Sequence, residues 1–288
     1  MTVAVPELRA PRTRLIRRHP VSAVLAGGFL LLIVIMAVFA PLLAPHSPTA
    51  TSLTDALLPP GSPDHLLGTD STGRDILSRL MYGARLSLLG PLGVVLLATV
   101  AGVAVGLAAA RGPGWADLLL TRAMDIVFAF PGLLLAMLVV AVFGPGLLAP
   151  MCALAIAYTP FVGRVVRSLA LQEAARPYVD SYSVMGFGRL FVTVRHILPN
   201  LVPVLAAQAA LAFGYALVDL ATLSFLGLGV RPPQSDWGSM ISQAQPAILQ
   251  GQPWSAIIPG ITVLLTVVAV NILGEHLGSS VARAGERS

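Results

Sequence analysis

Asp219 is an acid set in an apolar stretch: Ile197 to Val218 carries no charge, and the apolar pattern continues past Asp219 to Val230. A carboxylate inside a membrane span is expensive and marks a functional position. Three uses are open to it: lining a solute path, meeting a second subunit, or relaying protons. Arg122 and Asp125 are spaced i,i+3 near one end of another apolar run, so each can neutralise the other as a structural pair. Glu275 and His276 follow the last apolar run and are expected to be solvated. His46, His65, His196 and His276 are scattered, and no two have the spacing of metal ligands, which predicts no metal centre. The single Cys152 allows no disulfide framework. The chain has no lysine, so no phosphate-binding Gly-x-x-x-x-Gly-Lys-Ser/Thr loop can form, and any ATP must sit on another polypeptide. No residue is assigned a catalytic role.

The longest polar insertion, Arg164 to Asn200, is the other place where chemistry concentrates. Ala174 to Met185 has helical character. Gly186 and Gly188 interrupt it, and a second amphipathic stretch, Arg189 to Leu198, stops at Pro199. Two short helices bent at a glycine form a projecting elbow suited to docking a soluble partner, with Arg189 and Arg195 free to meet acidic groups. The same pattern also fits an amphipathic helix resting on lipid headgroups.

The elements that must position these residues are membrane spans. Hydrophobic residues make up 56% of the 288 and charged residues 11%. A soluble domain carries about 25% charged residues, so a water-soluble monomer is excluded, and the apolar content excludes a disordered chain. The net charge of +5 comes with few charges of either sign, which fits basic cytoplasmic loops better than a nucleic-acid surface, so no nucleic-acid partner is expected. A span needs about 20 apolar residues. The uncharged runs place spans at 21–45, 86–110, 118–142, 147–164, 201–229 and 254–274. The 38-residue run Ile126 to Gly163 is divided at Phe143-Gly144-Pro145-Gly146. The expected fold is all-α with six transmembrane helices. It has a basic N-terminus at 1–20, an external loop with an interfacial helix at 46–85, a cytoplasmic segment at 165–200, a second external loop at 230–253 and a tail at 275–288. The residues from 86 to 280 form the core.

With both termini inside, thirteen arginines fall on the cytoplasmic side and four outside, a strong positive-inside bias. Arg14, Arg17 and Arg18 precede a first apolar stretch of 25 residues, longer than a cleaved signal allows, so an uncleaved anchor is expected. Arg17-Arg18 as a twin-arginine export signal is the alternative. Gly102 and Gly106 have the spacing of close helix packing.

The insertion resembles the signature of importer-type ABC permeases. Tyr178-Val179-Asp180-Ser181-Tyr182, then Gly186, then Arg195-His196-Ile197-Leu198-Pro199-Asn200 agree with it in spacing. Asp180-Ser181-Tyr182 stands where that family carries Glu-Ala-Ala. The literal Glu173-Ala174-Ala175 has the wrong spacing from Gly186 and reads as chance. Three further blocks resemble the C-type subunit of the dipeptide/oligopeptide branch: His65 to Asp75 with Ser78-Arg79 and Tyr82 to Arg85, Asp125 with Ala129-Phe130-Pro131, and Leu223 to Pro233 with Trp237 to Met240. Read without the family, Asp75 and Arg79 are an i,i+4 pair opening a helix.

The resemblance covers roughly residues 20–280. It implies a multi-pass permease subunit of a bacterial inner membrane, part of an ATP-driven importer of di- or oligopeptides. Its implied partners are a homologous permease, two ABC ATPase subunits carrying ATP and magnesium, and an extracytoplasmic solute-binding protein. ATPase coupling falls on Tyr178, Asp180, Ser181, Tyr182, Gly186, Arg189, Arg195, His196, Leu198 and Pro199. The loops expected to face the binding protein carry Asp70, Arg74, Asp75, Arg231 and Trp237. Asp219 is the candidate for the translocation path. Nickel or another small solute as cargo, a proton-coupled carrier and a membrane scaffold are the rival readings.

Overall fold

A computed structural model describes the backbone of residues 20–285 and the side chains of 21–278. The basic N-terminus, with its anchor and export-signal readings, lies outside the described residues. All regular elements among these residues are helical, and two isolated bridges are the sole extended pairings.

Among the described residues, five helices are long and apolar enough to cross a membrane. They are α1 (Pro20–Val38), α3 (Ile76–Arg111), α6 (Leu148–Ala174), α9 (Leu198–Phe225) and α12 (Trp254–Gly285). A short α2 (Ala40–Leu43) follows α1. The sixth span is a bent pair, α4 (Gly114–Phe128) and α5 (Gly132–Phe143), which meet at 81°. The break falls at Ala129-Phe130-Pro131, where the proline ring prevents the helix from running straight on.

The helices overrun the apolar runs. α3 has 36 residues, about 54 Å at about 1.5 Å per residue, against a hydrocarbon core of about 30 Å. The interfacial helix and second span read from the sequence are therefore one rod. α6 likewise continues beyond Arg164 to Ala174 as a stalk.

Close packing of α3 on α6 depends on glycine. A Cβ on Gly102 would lie 2.6 Å from the Val162 Cβ, and one on Gly106 would lie 2.6 Å from the Gly163 carbonyl oxygen. The Gly102/Gly106 spacing thus marks a true backbone contact. Three apolar clusters hold the helices. One joins α1, α3 and α9 to the segment that begins at Trp237, around Ile33, Ile76, Leu217 and Trp237. A second joins α3, α5, α6 and α9 around Val94, Ala136, Leu154 and Leu223. The third, around Val166, Val179, Val192 and Ile197, lies at the base of the elbow. Arg85 ties α1 to α3: its Nε donates to the Ala37 carbonyl at 2.6 Å and its Nη2 to Val38 at 3.0 Å. These are carbonyls a helix end leaves without partners.

Candidate functional site

The elbow between α6 and α9 is built from α7 (Pro177–Val184), α8 (Arg189–Val192) and a wide turn over Thr193–Ile197. α7 opens on Pro177, whose missing N–H costs nothing in the first turn. It closes in a Schellman cap: the Gly186 N–H donates to the Ser183 carbonyl at 3.1 Å and the Phe187 N–H to Tyr182 at 3.1 Å. That cap needs a left-handed residue, and Gly186 supplies it at φ +83°.

Behind the bend, aromatic rings stack. Tyr182 lies on His196 with centroids 4.1 Å apart, and Phe187 meets it edge-on at 5.6 Å. Tyr182, which replaces the last alanine of the family triplet, thus braces the two arms of the elbow against each other. The outer surface is apolar: Val184 is 89% and Leu190 77% exposed, with Met185 and Phe187 beside them. Asp180, Ser181, Arg189, Arg195 and Pro199 are also exposed, while Tyr178, His196 and Leu198 are half-buried. An interfacial helix has one apolar face for lipid, whereas this surface is a bent tip flanked by charges.

Glu173 has a structural role that the motif did not point to. Its side chain is buried, and Oε1 accepts from the Tyr178 hydroxyl at 2.9 Å and from Asn200 Nδ2 at 2.8 Å. Arg176 Nε lies 3.0 Å from Oε2. The end of α6, the start of α7 and the start of α9 meet on this one carboxylate, a role that belongs to Glu173 itself and not to the triplet. Burial, and then the bond to Glu173, push the Tyr178 hydroxyl above its ordinary range, so it remains a donor. Its sequence signal was an acid closing an amphipathic stretch beside a tyrosine at i+5. Replacing Glu173 with Ala removes the two hydrogen bonds to a charged group that tie α6 to Tyr178 and Asn200, a loss of about 1–3 kcal/mol. We expect that variant to show faster protease cleavage between Ala175 and Asn200 in detergent. Cleavage at the wild-type rate would refute the clamp.

At the other end of the bundle the loop 44–75 is cross-tied. Asp70 accepts from the Thr72 N–H at 2.8 Å, the Thr72 hydroxyl at 2.7 Å and Arg74 Nε at 2.8 Å, and also binds Arg79. Arg74 and Arg79 both donate to Gln243 Oε1, at 2.9 and 2.8 Å. Burial alone would raise the Asp70 carboxyl, but Arg79 and the donated hydrogen bonds outweigh it and hold it below its usual range. Asp75 does not pair with Arg79. It caps α3 by accepting from the Ser78 N–H at 2.7 Å. Asp236 caps α10 (Trp237–Gln243) through Ser239 N–H at 2.7 Å, and burial pushes its carboxyl up against those bonds. α11 (Gln245–Leu249) completes this loop.

Asp70, Asp75 and Trp237 are buried. They build the loop rather than present side chains to a partner, because their polar atoms are consumed within it: Trp237 Nε1 donates to the Leu80 carbonyl at 3.1 Å. Arg74 is largely covered, and Arg231 alone of these five is exposed, near the Gly144 turn. The histidines are not all scattered in space: His46, His65 and Asp75 converge, with ligating atoms within 4.8 Å of one another.

Within the spans, Asp219 finds its partner on another helix, accepting from the Tyr158 hydroxyl of α6 at 2.8 Å. Asp125 lies 3.7 Å from Arg122, but its closer partner is Arg164 at 3.0 Å, so the pair read from i,i+3 spacing is a triad spanning α4 and α6. Asp117 and Arg167 pair bidentately between the same helices at 2.6 and 2.7 Å. Glu275 and His276 are exposed.

The family described as the binding-protein-dependent transport system inner membrane component matches residues 102–283, and the N-terminal TM domain of oligopeptide transport permease C matches residues 14–60. The Di/tripeptide transport system permease protein DppC of Pseudomonas aeruginosa is 43% identical over 87% of this chain and 85% of its own. The dipeptide transport system permease protein DppC of Haemophilus influenzae is 38% identical over 86% of each. Among solved structures, a chain of the inward-facing MetNI methionine ABC transporter is 17% identical, covers 70% of this chain and 96% of its own, and has a TM-score of 0.56, a likeness of fold. The capped elbow, the cross-tied loop and these matches along the chain lead to one conclusion: the protein belongs to the binding-protein-dependent transport permeases, as a multi-pass inner membrane component of the C type.

Proposed function

We propose that the chain is one of two homologous permease subunits of an importer for di- or oligopeptides, driven by ATP and magnesium bound on two partner ATPases. The observation that carries the reading is the bent, exposed apolar tip at Val184–Leu190, anchored at its base by Glu173. An exposed apolar tip outside the spans marks an interaction site, and its bend and flanking charges suit a pocket on a soluble partner. Movement of that partner on binding nucleotide would pass through the Glu173 clamp into α6 and α9 and rock them as rigid bodies. The elbow and both termini are assigned to the cytoplasm by the arginine bias. A solute-binding protein would approach the opposite face, where Arg231 is exposed and the cross-tied loop forms a platform. Peptide cargo is supported by the named substrates of the two relatives. Asp219, bridged to Tyr158, is the residue we propose for the translocation path.

Cross-linking tests the docking. With exposed Cys152 replaced by Ser, a Val184→Cys chain should cross-link to a co-expressed ATPase in the presence of nucleotide, and an exposed Leu249→Cys control should not. Equal labelling of both, or of neither, would remove the reading. Uptake by Asp219→Asn should persist on adding a protonophore with ATP held constant; its collapse would favour the carrier. Binding of peptide, not nickel, by the isolated binding protein separates the two cargo readings.

A further inference from the structure

We propose that His46, His65 and Asp75 bind a divalent transition-metal ion of the zinc class, clasping the loop that joins α2 to α3. The inference is independent of the transported substrate. His46 lies just beyond α2, with its backbone N–H on the Ser78 hydroxyl at 3.1 Å. His65 lies on the loop and Asp75 caps α3. The two imidazoles are 4.7 Å apart, tilted by 32°. His65 Nδ1 is 3.0 Å from Asp75 Oδ1. The other carboxylate oxygen is occupied by the Ser78 N–H and hydroxyl, which fixes Asp75 with Oδ1 toward the histidines. The Asp75 side chain is fully buried and that of His65 is 12% exposed. His46 Nδ1 is buried with no hydrogen-bond partner, an arrangement that costs stability unless something satisfies it.

The donor set and its surroundings select the ion. Two imidazoles and one carboxylate suit zinc, with a fourth position for water or an outside donor, whereas calcium and magnesium take oxygen ligands. Metal–ligand lengths of about 2.0–2.1 Å put tetrahedral donors about 3.3 Å apart. The His65–Asp75 pair is already close to that spacing, and a rotation of His46 closes the rest. A cavity of about 290 Å³ opens beside the three residues, and Asp55 and Asp64 add negative charge to its wall. No arginine lines it, because Arg74 and Arg79 are turned to Asp70 and Gln243. Joining His46 to Asp75 closes a long loop, the case in which a clasp removes most freedom from the unfolded chain.

Zinc alone, titrated into the chelator-stripped full-length chain in detergent, tests this by competition with a chromogenic chelator. The expected result is one ion per chain. His46→Gln and His65→Gln should each bind more than tenfold more weakly, since loss of even an outer partner of a metal site costs about 10–100-fold. Zinc should raise the melting temperature of wild type and not of His46→Gln, while His196→Gln binds like wild type. Wild-type affinity in His46→Gln would overturn the proposal. Cobalt(II) on the unmodified chain gives a second readout that needs no variant. Intense visible absorption from a four-coordinate ion, bleached by zinc, is expected, and a weak six-coordinate spectrum would also overturn it.

Discussion

Gly186→Val is expected to lower uptake about tenfold while the chain still reaches the membrane in normal amount. The Schellman cap of α7 holds Gly186 at φ +83°. An L-residue in that region costs about 1–2 kcal/mol, and about 1.4 kcal/mol is a factor of ten in an equilibrium. The shift would be away from the bent hook, so the cost falls on docking. It would not fall on folding, because the base of the elbow stays packed on Val166, Val179 and Ile197 and clamped at Glu173. A Cβ at Gly186 meets nothing within 4 Å, so the penalty is one of backbone conformation. Asparagine tolerates the left-handed region, and Gly186→Asn should therefore retain most uptake. Transport assays on both variants, with membrane levels by immunoblot, check this. Wild-type uptake by Gly186→Val would refute it, and equal impairment of the two would shift the requirement from the backbone to the partner's surface.

Gly106→Leu should have the opposite character, losing the protein itself. Its Cβ would lie 2.6 Å from the Gly163 carbonyl oxygen and 2.8 Å from the Val166 Cβ. A backbone atom cannot step aside as a flexible side chain can, so α3 and α6 must separate along their length. Overpacking costs about 1–3 kcal/mol, sometimes more, and here it falls on the contact that carries the elbow's stalk. We expect membrane levels several-fold below wild type and a lower melting temperature in detergent. Gly27→Leu on α1 is the matched control: a Cβ there meets nothing within 4 Å, so its level should be unchanged. Equal loss in both variants would show a general intolerance of leucine for glycine in these helices, not a specific contact.

The number and place of the apolar runs, the arginine bias, the glycine-bent insertion and the family blocks were legible in the chain itself. Each is a local property: a span is a matter of length and hydropathy, and a Schellman turn is a matter of one glycine beside a helix end. The ends of helices were not legible, because polar residues can continue a helix wherever tertiary contacts support them. α6 runs past Arg164 and α3 begins at Ile76 for that reason. Side-chain partnerships were the least legible. Asp75 looked like a partner for Arg79 by spacing, yet Asp70 takes the arginine and Asp75 takes the helix end. Glu173 acquired its role from Asn200, Asp219 found Tyr158, and His46 met His65, each across a distance in sequence that no periodicity encodes. The sequence by itself determined a bundle of spans with a hook. Tertiary structure alone decided which buried charges meet, because a charge removed from water must be paired by whatever group the fold brings near it.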